Sequence, residues 1–363
     1  MTTKNVIYAR EDISCILPES MDTEFDFYDA EQAPVSLYGV FREGDGFVRM
    51  PRHIARRVSE RVAVRNEHTA GGRIRFVTDS SRIAVIAAVA PGGGMPHFAY
   101  TGVSGFDLYA SGEGTMRYWG TIVPPPDHTG SIHGVVDLMA KERRTVQINM
   151  PLYNSVKKVY IGLERGSTLL AAEPLSVPPV VYYGSSITQG GCASRPGNSY
   201  QAIIHQNLKA DYLNLGFSGS ALAEEAMMEY IAALSMSAFV YDYDHNAPDV
   251  EFLEKTHYGG YRAVRTAQPD VPILILSRPK CRLTPEEEER RRIIRASYDR
   301  AIAEGDRRVY YIDGTELLES GMEDHALVDN CHPADIGFFS MAKRIGPMIC
   351  RMIEGTQLPS GGE

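Results

Sequence analysis

The stretch that decides the fold runs from residue 180 to residue 191 and reads Val180-Val-Tyr-Tyr-Gly-Ser-Ser-Ile-Thr-Gln-Gly-Gly191. Its first four residues have high β propensity and come directly before a turn of small residues, so the stretch predicts a buried strand ending at Tyr183. Residues that follow such a strand lie at the carboxyl edge of a parallel sheet, where ligands of open α/β sheets bind.

Four further apolar runs follow, each trailed by an amphipathic helical stretch. They are 212–216, 238–243, 272–276 and 309–312. The clearest helix begins after Thr284, a good N-cap, with Pro285 in its first turn. Strands alternating with helices predict an α/β fold with a doubly wound, five-stranded parallel sheet of the flavodoxin-like type, which we place in residues 176–363.

The first half of the chain has a different pattern. Between Phe41 and Leu175, short alternating β-rich segments such as 82–89 and 158–163 are separated by Gly, Pro, Asp and Ser. Strands of this length with turn signals between them are typical of an antiparallel sandwich. We therefore predict an all-β, jelly-roll-like sandwich domain in residues 1–175, ahead of the α/β domain.

Composition narrows the classes of function. The chain has 363 residues, 44% hydrophobic and 23% charged, which is typical of a folded globular protein of two domains. A formal net charge of -9 argues against nucleic acid as a partner, because phosphate recognition needs concentrated Lys and Arg. We interpret a basic cluster at positions 49, 52, 56 and 57 as a solvated face or an inter-domain contact.

Cysteine spacing and hydropathy indicate compartment and metal content. Five scattered cysteines at positions 15, 192, 281, 331 and 350 have no CxxC spacing, so we expect reduced thiols, no disulfide framework and no metal site. The N-terminal residues lack the apolar core of a secretory signal, and no stretch is apolar enough for a membrane span. We expect a cytoplasmic protein with no membrane partner.

The residues after the strands carry nucleophilic chemistry. Ser186 follows the first strand, and the C-terminal stretch Asp329-Asn-Cys-His-Pro333 supplies an imidazole and a carboxylate three residues apart. A serine hydroxyl needs a base within hydrogen-bond reach and a third group that orients the base. We predict Ser186 as nucleophile, His332 as general base and Asp329 as the orienting carboxylate.

Acyl transfer also needs donors for the developing oxyanion. The second strand leads into Gly216-Phe-Ser-Gly-Ser220 and the third into Asp244-His-Asn-Ala-Pro248. Small residues let backbone amides approach an oxyanion, and a side-chain amide can add a donor. We predict that the amides of Ser186 and Gly219 and the side chain of Asn246 form the oxyanion hole.

These blocks together resemble the SGNH (GDSL-like) hydrolases. Gly184-Ser-Ser186 is similar to the Gly-Asp-Ser turn of the family, with Ser185 in place of aspartate, and Ser218-Gly219 is similar to its second block. Asp244-His-Asn246 departs from the usual Gly-x-Asn-Asp wording of the third block, whereas Asp329 to His332 resembles the final Asp-x-x-His. The resemblance covers the last half of the chain.

The resemblance implies a serine esterase that works through an acyl-serine and needs no cofactor. A β-sandwich ahead of the hydrolase is similar to some carbohydrate esterases, which implies a small acyl group such as acetyl on a carbohydrate ester as the substrate. Two alternative hypotheses are an acyltransferase with the same acyl-serine chemistry and an inactive carbohydrate-binding protein. The substrate-binding residues stay unassigned, and a homo-oligomer is compatible with the sequence.

Two local alternatives compete with the predicted catalytic residues. Ser185 is the neighbouring hydroxyl, but adjacent side chains point in different directions. Asp324 and His325 form a second acid and imidazole pair just upstream of the C-terminal block.

Overall fold

The computed structural model describes residue 21 and residues 23–357, apart from residues 93, 113, 207 and 209. Cys15 and the N-terminal stretch used for the compartment prediction lie outside the described residues. The strands are β1 Phe25–Asp29, β2 Ser36–Tyr38, β3 Phe41–Glu43, β4 Gly46–Val48, β5 Arg73–Thr78, β6 Arg82–Val89, β7 Phe106–Gly112, β8 Thr115–Ile122, β9 Ser131–Asp137, β10 Arg144–Asn149, β11 Val156–Glu164, β12 Leu169–Leu170, β13 Val177–Gly184, β14 Ala210–Gly216, β15 Ala238–Asp242, β16 Ile273–Leu276 and β17 Val309–Ile312. The α-helices are α1 Arg52–Val58, α2 Glu60–Asn66, α3 Tyr100–Val103, α4 Ser186–Gln189, α5 Tyr200–His205, α6 Glu225–Ala232, α7 Val250–Ala267, α8 Pro285–Ala303 and α9 Asp335–Gln357.

Two antiparallel sheets form the N-terminal part. One has the order β1-β11-β6-β9, and the other has the order β12-β5-β10-β7-β8 with β2 paired to β5. Alternating residues of both sheets, such as Val85 and Ile161 on one and Phe76 and Ile148 on the other, share one buried cluster. The predicted antiparallel sandwich is therefore confirmed, and its jelly-roll-like character stays a prediction.

The C-terminal part is built on a parallel sheet with the order β14-β13-β15-β16-β17. Its strands are apolar on both faces because both are covered: α6, α7 and α8 lie against one cluster, and α5 and α9 against the other. Thr284 caps α8 with a full capping box, as its sequence predicts. The predicted doubly wound, five-stranded α/β fold is confirmed.

Helices α1 and α2 lie in the half that the sequence pattern assigns to strands alone. They sit between β4 and β5, and Ser59 separates them by accepting a hydrogen bond from the amide of Val62 at 3.2 Å. Alternating basic and apolar residues obscured this helical period. Val62 of α2 and Ala55 of α1 pack into the same cluster as strand β14, so this pair joins the two parts of the molecule.

Two arginines of the N-terminal part cover the free edge of β14. Arg49 is 1% exposed and donates to the carbonyls of Asn214 at 3.1 Å and Gly216 at 2.6 Å, while Arg73 donates to the carbonyl of Tyr212 at 2.7 Å. These are every second carbonyl along an edge strand, which would otherwise stay unpaired. The basic cluster thus contributes an inter-domain contact through Arg49.

The segment between β12 and β13 contains the predicted domain boundary at residues 175 and 176, which stays a prediction. Among the described residues, no helix combines the length and apolarity needed to cross a bilayer. The cysteines within this part of the chain, at positions 192, 281, 331 and 350, are free thiols.

Candidate active site

The predicted nucleophile lies in a tight turn between β13 and α4. Ser186 is the first residue of α4, and the Ser185 hydroxyl caps that helix by accepting from the amide of Ile187 at 3.2 Å. Gly184 and Gly216 permit the turn, because a Cβ on Gly184 would lie 2.2 Å from Thr188 Oγ1 and one on Gly216 would lie 2.1 Å from the Gln189 nitrogen. Ser185 is therefore the capping serine of the pair.

Ser186, His332 and Asp329 are linked by hydrogen bonds. Ser186 Oγ lies 2.8 Å from His332 Nε2, and His332 Nδ1 lies 2.8 Å from Asp329 Oδ2. With Nδ1 donating to the carboxylate, Nε2 carries the lone pair that can accept the Ser186 proton. The structure thus brings together all three side chains that the sequence predicts.

Asp329 also fixes the backbone that carries His332. Its Oδ1 accepts from the amides of His332 at 2.8 Å and Cys331 at 3.2 Å, across a turn in which Asn330 has a φ of 63°. Partial burial raises the pKa of Asp329, but the hydrogen bonds from His332 outweigh it and hold the pKa below its ordinary value. A carboxylate that stays ionised can stabilise an imidazolium next to it.

The alternative acid and imidazole pair lies elsewhere. Asp324 and His325 are exposed in a short 3-10 helix, and Asp324 forms an ion pair with Arg282. Neither side chain enters the hydrogen-bond chain that joins Ser186 to Asp329.

The other predicted oxyanion-hole residues lie in adjacent loops. Asn246 Oδ1 accepts from the amides of Ser220 at 3.1 Å and Ala221 at 3.2 Å, next to Gly219 with a φ of 66°. Within the described residues, Asn246 Nδ2 and the Gly219 amide have no acceptor, and the Ser186 amide has none inside its own helix. Three donors are thus free in the loops that follow β13, β14 and β15.

The residue that departs from the usual third block forms a buried ion pair. Asp244, where the family has glycine, is 1% exposed and accepts two hydrogen bonds from Arg278, both at 3.0 Å. Burial raises the pKa of Asp244, but the Arg278 guanidinium outweighs it and holds the pKa below its ordinary value. Arg290 adds hydrogen bonds to the Asp244 and Ala247 carbonyls at 3.3 and 3.1 Å, so charge pairs hold the loop that carries Asn246.

Gln189 is a positioning residue that sequence reasoning missed. It is fully buried, and its Oε1 accepts from the Ser218 amide at 2.9 Å while its Nε2 donates to the Leu152 carbonyl at 3.0 Å. It therefore ties the nucleophile turn to the second block and to the sandwich. Its position next to the nucleophile turn could have indicated a role in the site, but the sequence alone does not distinguish a buried glutamine from an exposed one.

The sandwich reaches the site through Tyr153, which sequence reasoning also missed. Its hydroxyl donates to the Ser186 carbonyl at 3.2 Å, and its ring packs edge-on against Phe98 at 5.0 Å. Burial is the main reason that the pKa of Tyr153 lies above its ordinary value. The loop residue carries no periodic signal that could have marked it.

A second carboxyl supports the nucleophile helix. Asp242, the last residue of β15, is 1% exposed and accepts a hydrogen bond from Thr188 Oγ1 at 2.8 Å. Burial raises the pKa of Asp242 to about 7. The nearby charge of Asp244 also raises this pKa, whereas the hydrogen bond from Thr188 lowers it.

Two further side chains lie beside His332. The His97 ring, on an exposed loop of the sandwich, is 5.7 Å from the His332 ring between centroids. Cys192 is 7% exposed and has a φ of 75°, a left-handed conformation unusual for a residue with a side chain. Burial raises the pKa of Cys192 to about 12.

A parallel sheet with a hydrogen-bonded serine, histidine and aspartate at its carboxyl edge is the arrangement of a serine hydrolase. Residues 178–350 match the model of the GDSL-like lipase/acylhydrolase family, and residues 25–169 match the model of the N-terminus of SGNH-hydrolase-type esterases. The C-terminal part of the chain is thus a GDSL-like (SGNH) hydrolase domain, and the N-terminal part is of the type that precedes SGNH esterases. A comparison with curated proteins found no match.

Solved structures share the whole two-part architecture. A protein from Bacteroides ovatus described as a GDSL-like lipase is 25% identical with a TM-score of 0.83, over 91% of this chain and 98% of that chain. The salicylyl-acyltransferase SsfX3 of a tetracycline biosynthetic pathway is 18% identical with a TM-score of 0.73, over 92% and 98%. A family two carbohydrate esterase from Clostridium thermocellum is 14% identical with a TM-score of 0.59, over 88% and 98%.

Proposed function

We propose that the protein is a serine esterase that removes small acyl groups, acetyl above all, from a carbohydrate ester through an acyl-serine intermediate. The observation that carries this proposal is the chain of two 2.8 Å hydrogen bonds from Ser186 through His332 to Asp329. Such a chain makes a hydroxyl nucleophilic at neutral pH.

In the first half-reaction Ser186 Oγ attacks the ester carbonyl while its proton passes to His332 Nε2. Asp329 stabilises the imidazolium and stays ionised. The proton then passes from Nε2 to the departing alcohol oxygen as the carbon-oxygen bond breaks. In the second half-reaction His332 takes a proton from water, whose oxygen attacks the acyl-serine. The bond between the acyl carbon and Ser186 Oγ then breaks, and the proton on Nε2 returns to Oγ as the acid leaves.

The tetrahedral intermediates place a negative charge on the former carbonyl oxygen. The free amides of Ser186 and Gly219 and the Nδ2 group of Asn246 are proposed as its donors. Removing one such donor raises the barrier by about 3 kcal/mol in comparable enzymes. Because Asn246 Oδ1 is already held by two loop amides, its amide plane is fixed before a substrate arrives.

Crowding around the nucleophile supports a small acyl group. Ser186 is 8% exposed, and a Cβ on Gly191 would lie 2.7 Å from Tyr153 Oη and 3.5 Å from His332 Cδ2. The carbohydrate part of the proposal is supported by the shared fold of the Clostridium thermocellum carbohydrate esterase.

The fold is also shared with an acyltransferase, so the second half-reaction needs its own support. Transfer to an alcohol requires that water be kept from the acyl-serine. The side chains of His332 and Asp329 are 21% and 37% exposed, which leaves the base open to water and favours hydrolysis.

Covalent labelling tests the nucleophile. The full chain is treated with a sulfonyl fluoride, digested and analysed by mass spectrometry, and we expect one adduct, on Ser186. Ser186→Ala should show none, whereas Ser185→Ala, the matched control, should still be labelled because Ser185 only caps α4. An unlabelled Ser186 would leave a carbohydrate-binding protein as the better reading.

A substrate panel tests the rest of the proposal. Aryl esters of increasing acyl length should be hydrolysed fastest at acetyl, and acetylated xylo-oligosaccharides should release acetate. Adding an alcohol acceptor should leave free acid as the main product. An optimum at longer chains would contradict the acyl assignment, and predominant ester exchange would favour the acyltransferase.

A further inference from the structure

We infer that His97, Cys192 and His332 form a binding site for a soft divalent cation such as Zn²⁺, which switches the serine site off reversibly. One nitrogen of each histidine and the Cys192 sulfur lie within 4.8 Å of one another. The three residues come from distant parts of the chain, so cysteine spacing in the sequence gives no sign of the cluster.

The distances among the two histidine nitrogens and the Cys192 sulfur are close to those between the ligand atoms of a bound zinc ion. Ligand atoms of a tetrahedral zinc with bonds of about 2.0–2.3 Å lie roughly 3.4–3.8 Å apart. The gap of about 1 Å can be closed by His97, because that side chain is exposed and stands on a loop, whereas Cys192 and His332 are held by their surroundings. A water molecule or the Ser186 hydroxyl completes four ligands.

Asp329 prepares His332 for a metal as well as for a proton. Its hydrogen bond to Nδ1, at 2.8 Å, leaves the lone pair on Nε2. A carboxylate on the far nitrogen is the usual support of a histidine that binds zinc, because it fixes the ring and raises its basicity. The same contact with Asp329 therefore prepares Nε2 both to accept a proton and to bind a metal ion.

The donor set determines which cations fit. Two imidazoles and one sulfur suit Zn²⁺ and copper and do not suit Mg²⁺ or Ca²⁺, which prefer oxygen. On binding, the Cys192 thiol loses its proton to solvent and the thiolate bonds to the metal. The metal takes the Nε2 lone pair from Ser186, so the nucleophile loses its base.

Direct binding tests the site without any substrate. The full chain is stripped with a chelator and titrated with Zn²⁺ in competition with a chromophoric zinc indicator, and we expect one Zn²⁺ per chain. His97→Ala and Cys192→Ser should each weaken binding by more than about 10-fold. His325→Ala and Cys281→Ser are matched controls outside the cluster and should bind as the parent chain does.

Cobalt gives a second readout. Co²⁺ bound to the parent chain should show a thiolate-to-metal absorption band that Cys192→Ser lacks. If Cys192→Ser folds poorly because Cys192 is buried, His97→Ala still tests the metal site, since His97 is exposed and its replacement should not disturb folding. The inference is overturned if the parent chain binds no Zn²⁺, or if both cluster variants bind it unchanged.

Only the inhibitory effect rests on the proposed function. In the ester assay, one equivalent of Zn²⁺ should abolish turnover and EDTA should restore it, with sensitivity lost in His97→Ala. Zinc binding with no esterase activity at any zinc level would contradict the proposed function while leaving the site in place. Full activity in the zinc-loaded chain would overturn the switch.

Discussion

Asp242→Asn, directly behind the nucleophile helix, should make the stability of the protein less sensitive to a rise in pH. Asp242 is 1% exposed, and burial raises its pKa to about 7 from an ordinary value of 3.8. The folded state therefore holds the Asp242 proton more tightly than the unfolded state. This contribution to stability is complete below pH 3.8 and is lost as the pH rises to 7.

The size of the effect follows from the two pKa values. With about 1.4 kcal/mol for each unit, the gap between 3.8 and about 7 costs the folded state about 4 kcal/mol once the carboxyl is ionised. Of this, about 2–3 kcal/mol is lost between pH 5 and pH 8. Asparagine keeps an oxygen for the Thr188 hydroxyl and has no charge to bury.

Urea unfolding at pH 5 and pH 8, followed by circular dichroism, measures the effect. The fall in unfolding free energy between the two pH values should be smaller in Asp242→Asn than in the parent chain by about 2–3 kcal/mol. Comparing the pH-dependent change in unfolding free energy of the two proteins cancels any effect of the substitution that does not depend on pH. Equal falls in both proteins would refute the reasoning.

Three further substitutions test the site and its supports. Asp329→Asn should lower kcat by about 10²–10⁴-fold, because the wrong imidazole tautomer then faces Ser186; a loss below tenfold in the aryl ester assay would contradict this. Asn246→Asp keeps the acceptor for the Ser220 and Ala221 amides but removes the donor, so kcat should fall about 10²–10³-fold; near-normal turnover would mean that Asn246 only holds the loop. Gln189→Met leaves the half-buried Ser218 amide and the buried Leu152 carbonyl unpaired, and urea unfolding should show a loss of about 2–4 kcal/mol; an unchanged midpoint would argue against its structural role.

The parallel sheet and the residues at its edge could be predicted because their signals are local. An apolar strand followed directly by Gly184-Ser-Ser186 shows the strand and the nucleophile turn in a single stretch. Asp329 and His332 lie three residues apart, so one turn fixes their contact. What the structure adds is the contact between these two stretches, in which Ser186 Oγ lies 2.8 Å from His332 Nε2.

Other parts of the site could not be predicted because their contacts are long-range. Tyr153 and His97 come from sandwich loops, and nothing in their neighbours along the chain places them beside Ser186 and His332. Helices α1 and α2 were missed because their basic residues were interpreted as a solvated face or an inter-domain contact, and their helical period was overlooked. Arg49, in the same cluster, is buried by an edge strand more than 160 residues away in the sequence.

The arginine contacts along β14 have a consequence for dividing the chain. Arg49 and Arg73 take the place of a missing neighbouring strand, since they supply donors to the carbonyls of Tyr212, Asn214 and Gly216. A fragment that begins at residue 176 would expose this row of acceptors and invite strand-to-strand aggregation. We therefore expect the C-terminal part to aggregate more readily without its sandwich, and heat to melt the two parts together in the full chain.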